Sequence, residues 1–256
     1  MRSAGVGQAG LFCGRTVFGK TVIETAVGAA LALSLLAAGC VDIVDGNKVL
    51  SEESRPVSGF ERVTARGGLD VTIEEGDFSV LVRIDENLQP YVETSVDDGT
   101  LTIAVDDANI RKKLPGPHVL ITMPSLSDAE TAGEGTLTAT AFEADAPVSL
   151  EMTGTGKLIW SGRATDLDVV LAGSGDISLE GTAEAAEFSL RGAGTLDARD
   201  LVADSARIEL DGPGALSVTV NGRVDARAAN GGSVDLFGRV VEGEIDSTAG
   251  ATITAH

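Results

Sequence analysis

The chain has 256 residues and carries 39 acidic side chains against 19 lysines and arginines, which gives a net charge of −20 at pH 7. A surface of this sign repels nucleic acid, other polyanions and bare anionic lipid, so we exclude these as expected ligands. Two cysteines and two histidines leave little material for a disulfide framework or for histidine chemistry.

Residues 1–39 have the pattern of an export signal. Arg2, Arg15 and Lys20 precede an apolar run that ends in LSLLAAGC at Cys40. The run is too short to predict a membrane-spanning helix. The small residues before the cysteine resemble a bacterial lipobox, which implies that Cys40 is lipidated and becomes the first mature residue. An uncleaved anchor or an ordinary signal peptide is the alternative.

The lipid on Cys40 would hold the protein on a membrane with its body outside the cytoplasm. In a Gram-negative cell, Val41 in place of aspartate after this cysteine would favour the outer membrane, and the periplasm is the other possible location. Residues 40–54 are predicted to be the lipidated N-terminus and a flexible tether. Residues 55–256 are predicted to form one domain, because no linker divides them.

The first part of this domain is rich in predicted strands. Alternating apolar and polar residues predict strands at 60–65, 69–74, 78–85, 92–97, 101–105 and 119–123, and residues 86–90 predict a single helical turn. Residues 109–117 are predicted to be a solvated loop that contains the basic cluster Arg111, Lys112 and Lys113.

A repeat follows from about Gly133, with a Gly-x-Gly turn every 18 to 21 residues. After each turn, apolar residues alternate with polar ones, which predicts a strand with one buried face. A second alternating strand precedes each turn. Between the two strands lies a weaker apolar position, at Ala164, Ala183, Val202 and Val240.

A fixed period in this range is typical of a solenoid, in which each repeat is one coil of a stack. One coil buries too few side chains to offset the conformational entropy of ordering it, so neighbouring coils must cover its core. The sequence therefore predicts an all-β fold: a single-stranded, right-handed parallel β-helix with coils of about 19 residues.

Two outward features could carry function. Equivalent outward positions on successive coils carry Asp168, Glu187, Arg207, Asp225 and Glu244. Neighbouring carboxylates there could share a cation, but Arg207 interrupts the acids, which is more typical of a charge-balanced, solvated face. Ile159 and Phe237 interrupt otherwise polar outward columns and could mark a contact patch. Trp160 falls in an inward column and is predicted to be core.

The sequence offers little for catalysis. A polysaccharide-active β-helix enzyme, of lyase or hydrolase type, would need clustered carboxylates and a base, and the sequence offers only two histidines for that role, His118 and His256. No nine-residue calcium repeat and no Ser-His-Asp set is present in the sequence. We therefore predict no catalytic residues, no metal and no cofactor.

The segments RPVSGFERVTARGGLDVTIEEGD (55–77), DENLQPYVETSVDDGTLTI (85–103) and VLITMPSL (119–126), followed by the Gly-x-Gly repeats, resemble the GIN domain family of adhesin-like heads. The resemblance covers nearly all of residues 55–256. It implies a β-helical, secreted or lipid-anchored envelope protein, and it implies no reaction and no catalytic residues.

The sequence thus favours a lipid-anchored envelope protein whose head binds or scaffolds, with an envelope protein or a glycan as the expected partner. The polysaccharide-active enzyme and a purely structural spacer remain alternatives. The last coil, at residues 252–256, has no covering segment in the sequence, so we also expect self-association through it.

Overall fold

The computed structural model describes residues 44–105, 118–143 and 146–256. Within these ranges the chain forms eighteen strands and one 3₁₀ helix, Glu86–Tyr91. The strands are β1 (Leu50–Ser54), β2 (Arg62–Arg66), β3 (Asp70–Glu75), β4 (Ser79–Asp85), β5 (Val92–Asp97), β6 (Thr100–Val105), β7 (His118–Met123), β8 (Asp128–Gly133), β9 (Thr136–Glu143), β10 (Val148–Gly154), β11 (Lys157–Gly173), β12 (Asp176–Gly192), β13 (Thr195–Asp211), β14 (Ala215–Val220), β15 (Arg223–Ala229), β16 (Ser233–Phe237), β17 (Val241–Ser247) and β18 (Thr252–Ala255).

The strands from β8 onward wind into a parallel β-helix, which confirms the predicted fold class. The stack has about seven turns with a spacing of about 19 residues. Each turn contributes one strand, or half of a long strand, to each of two faces. The first face contains β9, β14, β16, β18 and the first halves of β11–β13. The second face contains β8, β10, β15, β17 and the second halves of β11–β13.

The inward columns form one continuous core, as the alternation predicts. On the first face Leu158, Ile177 and Leu196 pair across coils and are almost fully buried. Trp160, in the next inward column, is 0% exposed and pairs with Ala139 and Leu179 on the neighbouring coils. The prediction that it is a core residue is therefore confirmed.

The third inward position is predicted correctly at Ala164 and Ala183 but not at Val202. There the chain buries Leu201 and Ala203, and Val202 lies between them. The reason is one extra residue in this coil: the register of β12 and β13 shifts between Ser178 and Glu180. The irregularity moves the alternation by one position, which turns the neighbouring residues inward.

The N-terminal end of the stack departs from simple winding. The coil formed by β2 and β3 lies between the coil of β6 and β7 and the coil of β8 and β9, so chain order and stacking order differ. Three antiparallel pairs, β1–β4, β4–β7 and β5–β6, then cover this end. The last five residues of the segment expected to be a tether are strand β1. The helical turn predicted at 86–90 is present.

A buried glutamine helps to hold this cover together. The Gln89 side-chain amide donates to the Val82 carbonyl at 3.1 Å and to the Ser51 hydroxyl at 3.1 Å. It thus ties the 3₁₀ helix to both β4 and β1, and satisfies a polar group that would otherwise be buried at a cost.

At the corner that follows the second face, glycines stack directly on one another. Gly154, Gly173, Gly192 and Gly212 all have positive φ, between +122° and +146°. A Cβ built on Gly173 would lie 2.2 Å from the Gly154 carbonyl oxygen, and equivalent clashes recur along the column. The coils approach this closely because none of these residues has a side chain.

We predict that Gly173→Ala lowers the melting temperature by about 6–12 °C, because backbone strain and the clash together cost about 3 kcal/mol or more. The matched control is Gly231→Ala, where φ is also positive, at +86°, but no atom lies within 4 Å of the added Cβ. This control should cost only about 1 kcal/mol. Equal losses in calorimetry would show that close stacking of the coils is not what demands glycine.

Candidate functional site

The structure places three of the predicted site residues side by side on the second face. Asp168 pairs with Glu187, and Glu187 pairs with Arg207, on successive parallel strands. Asp225 continues the row after Arg207. We call Asp168, Glu187, Arg207 and Asp225 the charged column. Adjacent strands lie about 4.8 Å apart, so the four side chains form a regular row along the stack axis.

A groove of about 740 Å³ runs beside the charged column, along the corner where the second face begins. It crosses the strands and extends over several coils. A volume of this size is typical of ligand sites. Its lining residues are Ser127, Ala146, Pro147, Val148, Ser149, Asp166, Leu167, Asp168, Ala185, Ala186, Glu187, Ser205, Ala206, Arg207, Arg223 and Asp225.

Small side chains make the groove possible. One wall is the charged column, and the other is formed by residues two positions earlier on each coil, such as Asp166, Ala185 and Ser205. Between the walls lie Ala186 and Ala206, which belong to the buried inward column and form the floor of the groove. Because these coils carry alanine or serine where others carry larger residues, the corner is concave.

The Arg223–Asp225 ion pair closes one end of the groove. The guanidinium donates two hydrogen bonds, at 2.7 and 3.0 Å, to the two carboxylate oxygens of Asp225. These hydrogen bonds lower the pKa of Asp225, as does a 2.7 Å bond from the Glu244 backbone N–H. A bidentate pair of this kind has geometric specificity as well as energy.

Arg207 is held more loosely. Its Nε lies 3.6 Å from Glu187, and a second nitrogen lies 3.4 Å from Glu209. The side chain is 58% exposed. Exposed contacts of this length contribute little to stability, so Arg207 can exchange them for a ligand carboxylate.

The opposite part of the groove is acidic. Asp166 and Asp168 flank the groove from its two walls, with Leu167 between them. Both are exposed, and within the ranges that the structure describes neither forms an ion pair. Further along the row, Asp128 pairs with Ser149, and burial raises the pKa of Asp128.

The other predicted site residues lie elsewhere. Ile159 and Phe237 are half-buried on the first face, and neither lines the groove. The Phe237 ring stacks on His256 with centroids 4.7 Å apart, and His256 Nε2 lies 2.9 Å from Asp235. Cys40 falls outside the described residues. The structure thus assembles Asp168, Glu187 and Arg207 and separates them from the two apolar candidates.

Sequence reasoning missed Asp166, Arg223 and the alanine floor. The available signal was the run of small residues just before the charged column on two adjacent coils, Ala185-Ala186 and Ser205-Ala206. Within the described residues, no cluster of three or more histidine, cysteine or acidic side chains has the spacing to bind a metal ion. Nor does any helix in those ranges have the length and hydropathy needed to cross a membrane.

We predict that Asp225 titrates below its ordinary value of 3.8 and that Arg223→Gln raises its pKa toward that value. Because the pKa is lowered, any stability that the pair supplies is present above pH 3.8 and is lost as the pH falls through the lowered value. Carboxyl carbon NMR measures the titration, with the distant Arg66→Gln as control. An unchanged Asp225 pKa in Arg223→Gln would contradict this assignment.

Several solved structures share the fold, and we describe two. A "putative adhesin" from Bacteroides fragilis superposes with a TM-score of 0.71 at 19% identity, over 83% of this chain and 100% of its own. A "putative lipid binding protein" from Parabacteroides distasonis gives 0.66 at 22% identity, over 84% and 100%. At these identities the likeness concerns the fold alone.

Comparison with curated proteins gave no significant match. The family model described as "Putative auto-transporter adhesin, head GIN domain" matches residues 59–239, which is most of the chain and includes every strand from β2 to β16. The match confirms the resemblance seen in the sequence. The chain therefore belongs to the GIN-domain family that this model describes.

Proposed function

We propose that the chain is a non-enzymatic adhesion head that binds its partner along the corner groove. The observation that carries this proposal is the groove itself: an open channel over several coils, with charged walls and small residues between them, fixed on a stack of paired strands. Membership of a family of adhesin heads supports a binding role. The partner would be a protein or glycan of a cell envelope or surface.

The head would be held outside the cytoplasm by a lipid on Cys40. Support comes from the LSLLAAGC sequence and from the apolar run before it. The residues that follow Cys40 would then lead into β1, the first strand of the head. If the cell is Gram-negative, Val41 would direct the lipoprotein to the outer membrane.

The polysaccharide-active alternative has no specific observation in its favour. The described residues that line the groove include carboxylates, serines and two arginines but no histidine, lysine or tyrosine. A lyase needs a residue that removes a proton, and arginine keeps its own proton at ordinary pH. We therefore propose that the groove binds without turnover.

The adhesion role predicts that cells producing the full chain adhere to surfaces coated with envelope extract, and that cells lacking it adhere at least several-fold less. Cys40→Ala should release the protein into the medium and abolish adhesion while leaving the fold intact, as judged by circular dichroism. Metabolic labelling with a fatty acid should mark the original chain and not the variant. Equal adhesion with and without the protein would contradict the proposal.

Self-association through the last coil stays a prediction. Strands β17 and β18 each pair with one neighbouring strand in the described structure, and Val241 and Ile245 are exposed there. Glu242, Glu244 and Asp246 on β17 would repel an identical edge, so any association should strengthen as salt increases. Sedimentation of the full chain at rising concentration tests this, and a strict monomer in high salt would contradict it.

A further inference from the structure

The charges along the groove indicate the chemistry of its partner, an inference that rests on the proposed adhesion role. These charges are not uniform along the groove. Asp166 and Asp168 line the groove on one coil, two residues apart on the same strand, whereas two coils further along the wall carries Arg207. The described residues between them that line the groove are Ala185, Ala186 and Glu187.

We propose that the groove binds an extended polypeptide segment of the partner, with a lysine or arginine between Asp166 and Asp168 and an acidic residue on Arg207. Two carboxylates on opposite walls cannot neutralise each other, so they favour a cation placed between them. Arg207 offers a guanidinium whose present contacts are long and exposed. The ligand thus needs one basic and one acidic group at a fixed separation.

The distance from the coil of Asp166 and Asp168 to the coil of Arg207 selects the backbone conformation of the bound segment. Two steps between parallel strands cover about 9.6 Å. Three residues of polyproline II helix cover about 9.3 Å, and residues three apart point to the same side of that helix. A Lys-x-x-Glu segment in this conformation therefore presents both charges to the groove in register. Regular β conformation fits less well, because residues three apart point to opposite sides.

The floor restricts the residues between the two charges. Ala186 and Ala206 leave a shallow channel, and the wall residues Ala185 and Ser205 are also small. Small residues or proline can lie against this part of the groove, where Ala185 and Ser205 leave the wall low. Proline also pre-organises the segment, which lowers the entropic cost of binding.

Other occupants fit less well. Carbohydrate sites usually present aromatic platforms, and no described lining residue of this groove is aromatic. An acyl chain would lie between two walls that carry six ionised groups, Asp166, Asp168, Glu187, Arg207, Arg223 and Asp225, which it cannot satisfy. The groove ends at the Arg223–Asp225 pair, and its lining from Ser127 to Asp225 covers five steps between strands, which corresponds to about eight residues of extended chain.

Fluorescence anisotropy with the full chain tests this directly. The probe is a labelled nonapeptide with Lys-Ala-Pro-Glu at its centre and Ala-Pro flanks, made in both chain directions. The control peptide has the same composition with lysine and glutamate adjacent. We expect at least one direction of the probe to bind at least ten-fold more tightly than the control peptide, and the affinity to fall as salt increases.

Protein variants separate the groove from general charge effects. Asp166→Asn combined with Asp168→Asn should weaken probe binding at least ten-fold. The matched control, Asp176→Asn with Asp200→Asn, removes two exposed carboxylates outside the groove and should leave affinity within two-fold. The Arg207→Glu variant should no longer bind the probe and should bind a Lys-Ala-Pro-Lys peptide instead, because the charge at this position is reversed. This rescue also shows that the variant is folded.

The possible outcomes distinguish a failure of the proposed ligand from a failure of the proposed adhesion role. If cells adhere but the probe binds no better than the control peptide, or if the paired aspartate variant binds it normally, the inference is overturned and the adhesion role stands. If neither adhesion nor probe binding is observed, both are overturned. Selective probe binding with the expected variant pattern supports the inference, and loss of adhesion in the same aspartate variant extends it to the intact cell.

Discussion

The close approach of successive coils at the glycine corner is the constraint on which the rest of the structure depends. Each glycine of this column lies so near the carbonyl of the coil before it that a Cβ would overlap it. The contact holds neighbouring coils in register, so a residue on one coil lies beside its equivalent on the next. Inward columns then pack as continuous rows, and outward columns become ladders of side chains at strand spacing. Each coil therefore adds one side chain to every outward ladder, and a binding surface is built from these ladders.

The groove is a consequence of this regularity and of a local departure from it. Where two adjacent coils carry small residues at both positions before the charged column, the corner is concave and forms an open channel. The charged column supplies one wall, because its register is fixed by the same ladder. At Arg223 and Asp225 the two walls carry opposite charges and bond to each other, which ends the channel. Where they carry like charges, at Asp166 and Asp168, the channel stays open for a cation.

Much of the fold could be predicted from the sequence, because the period and the alternation report directly on coil length and burial. The position of Trp160 and the alignment of Asp168, Glu187 and Arg207 follow from counting residues after each turn. The extra residue that shifts Val202 shows in the longer spacing from Gly194 to Gly214, but this spacing does not tell where within the coil the residue is inserted. The placement of the β2–β3 coil between later strands depends on long-range pairing that has no local signal. The groove depends on the depth of a corner, which alternation does not encode.

The most direct test of the account is a map of ligand contacts by methyl NMR on the full chain with labelled alanines. On addition of the Lys-Ala-Pro-Glu probe, the account predicts shifts at Ala185, Ala186 and Ala206, and none at Ala139 and Ala198, which lie in the core behind the first face. Shifts concentrated near Ala139 and Ala198, or the absence of any shift in the groove at saturating probe, would contradict the claim that the corner groove is the binding site.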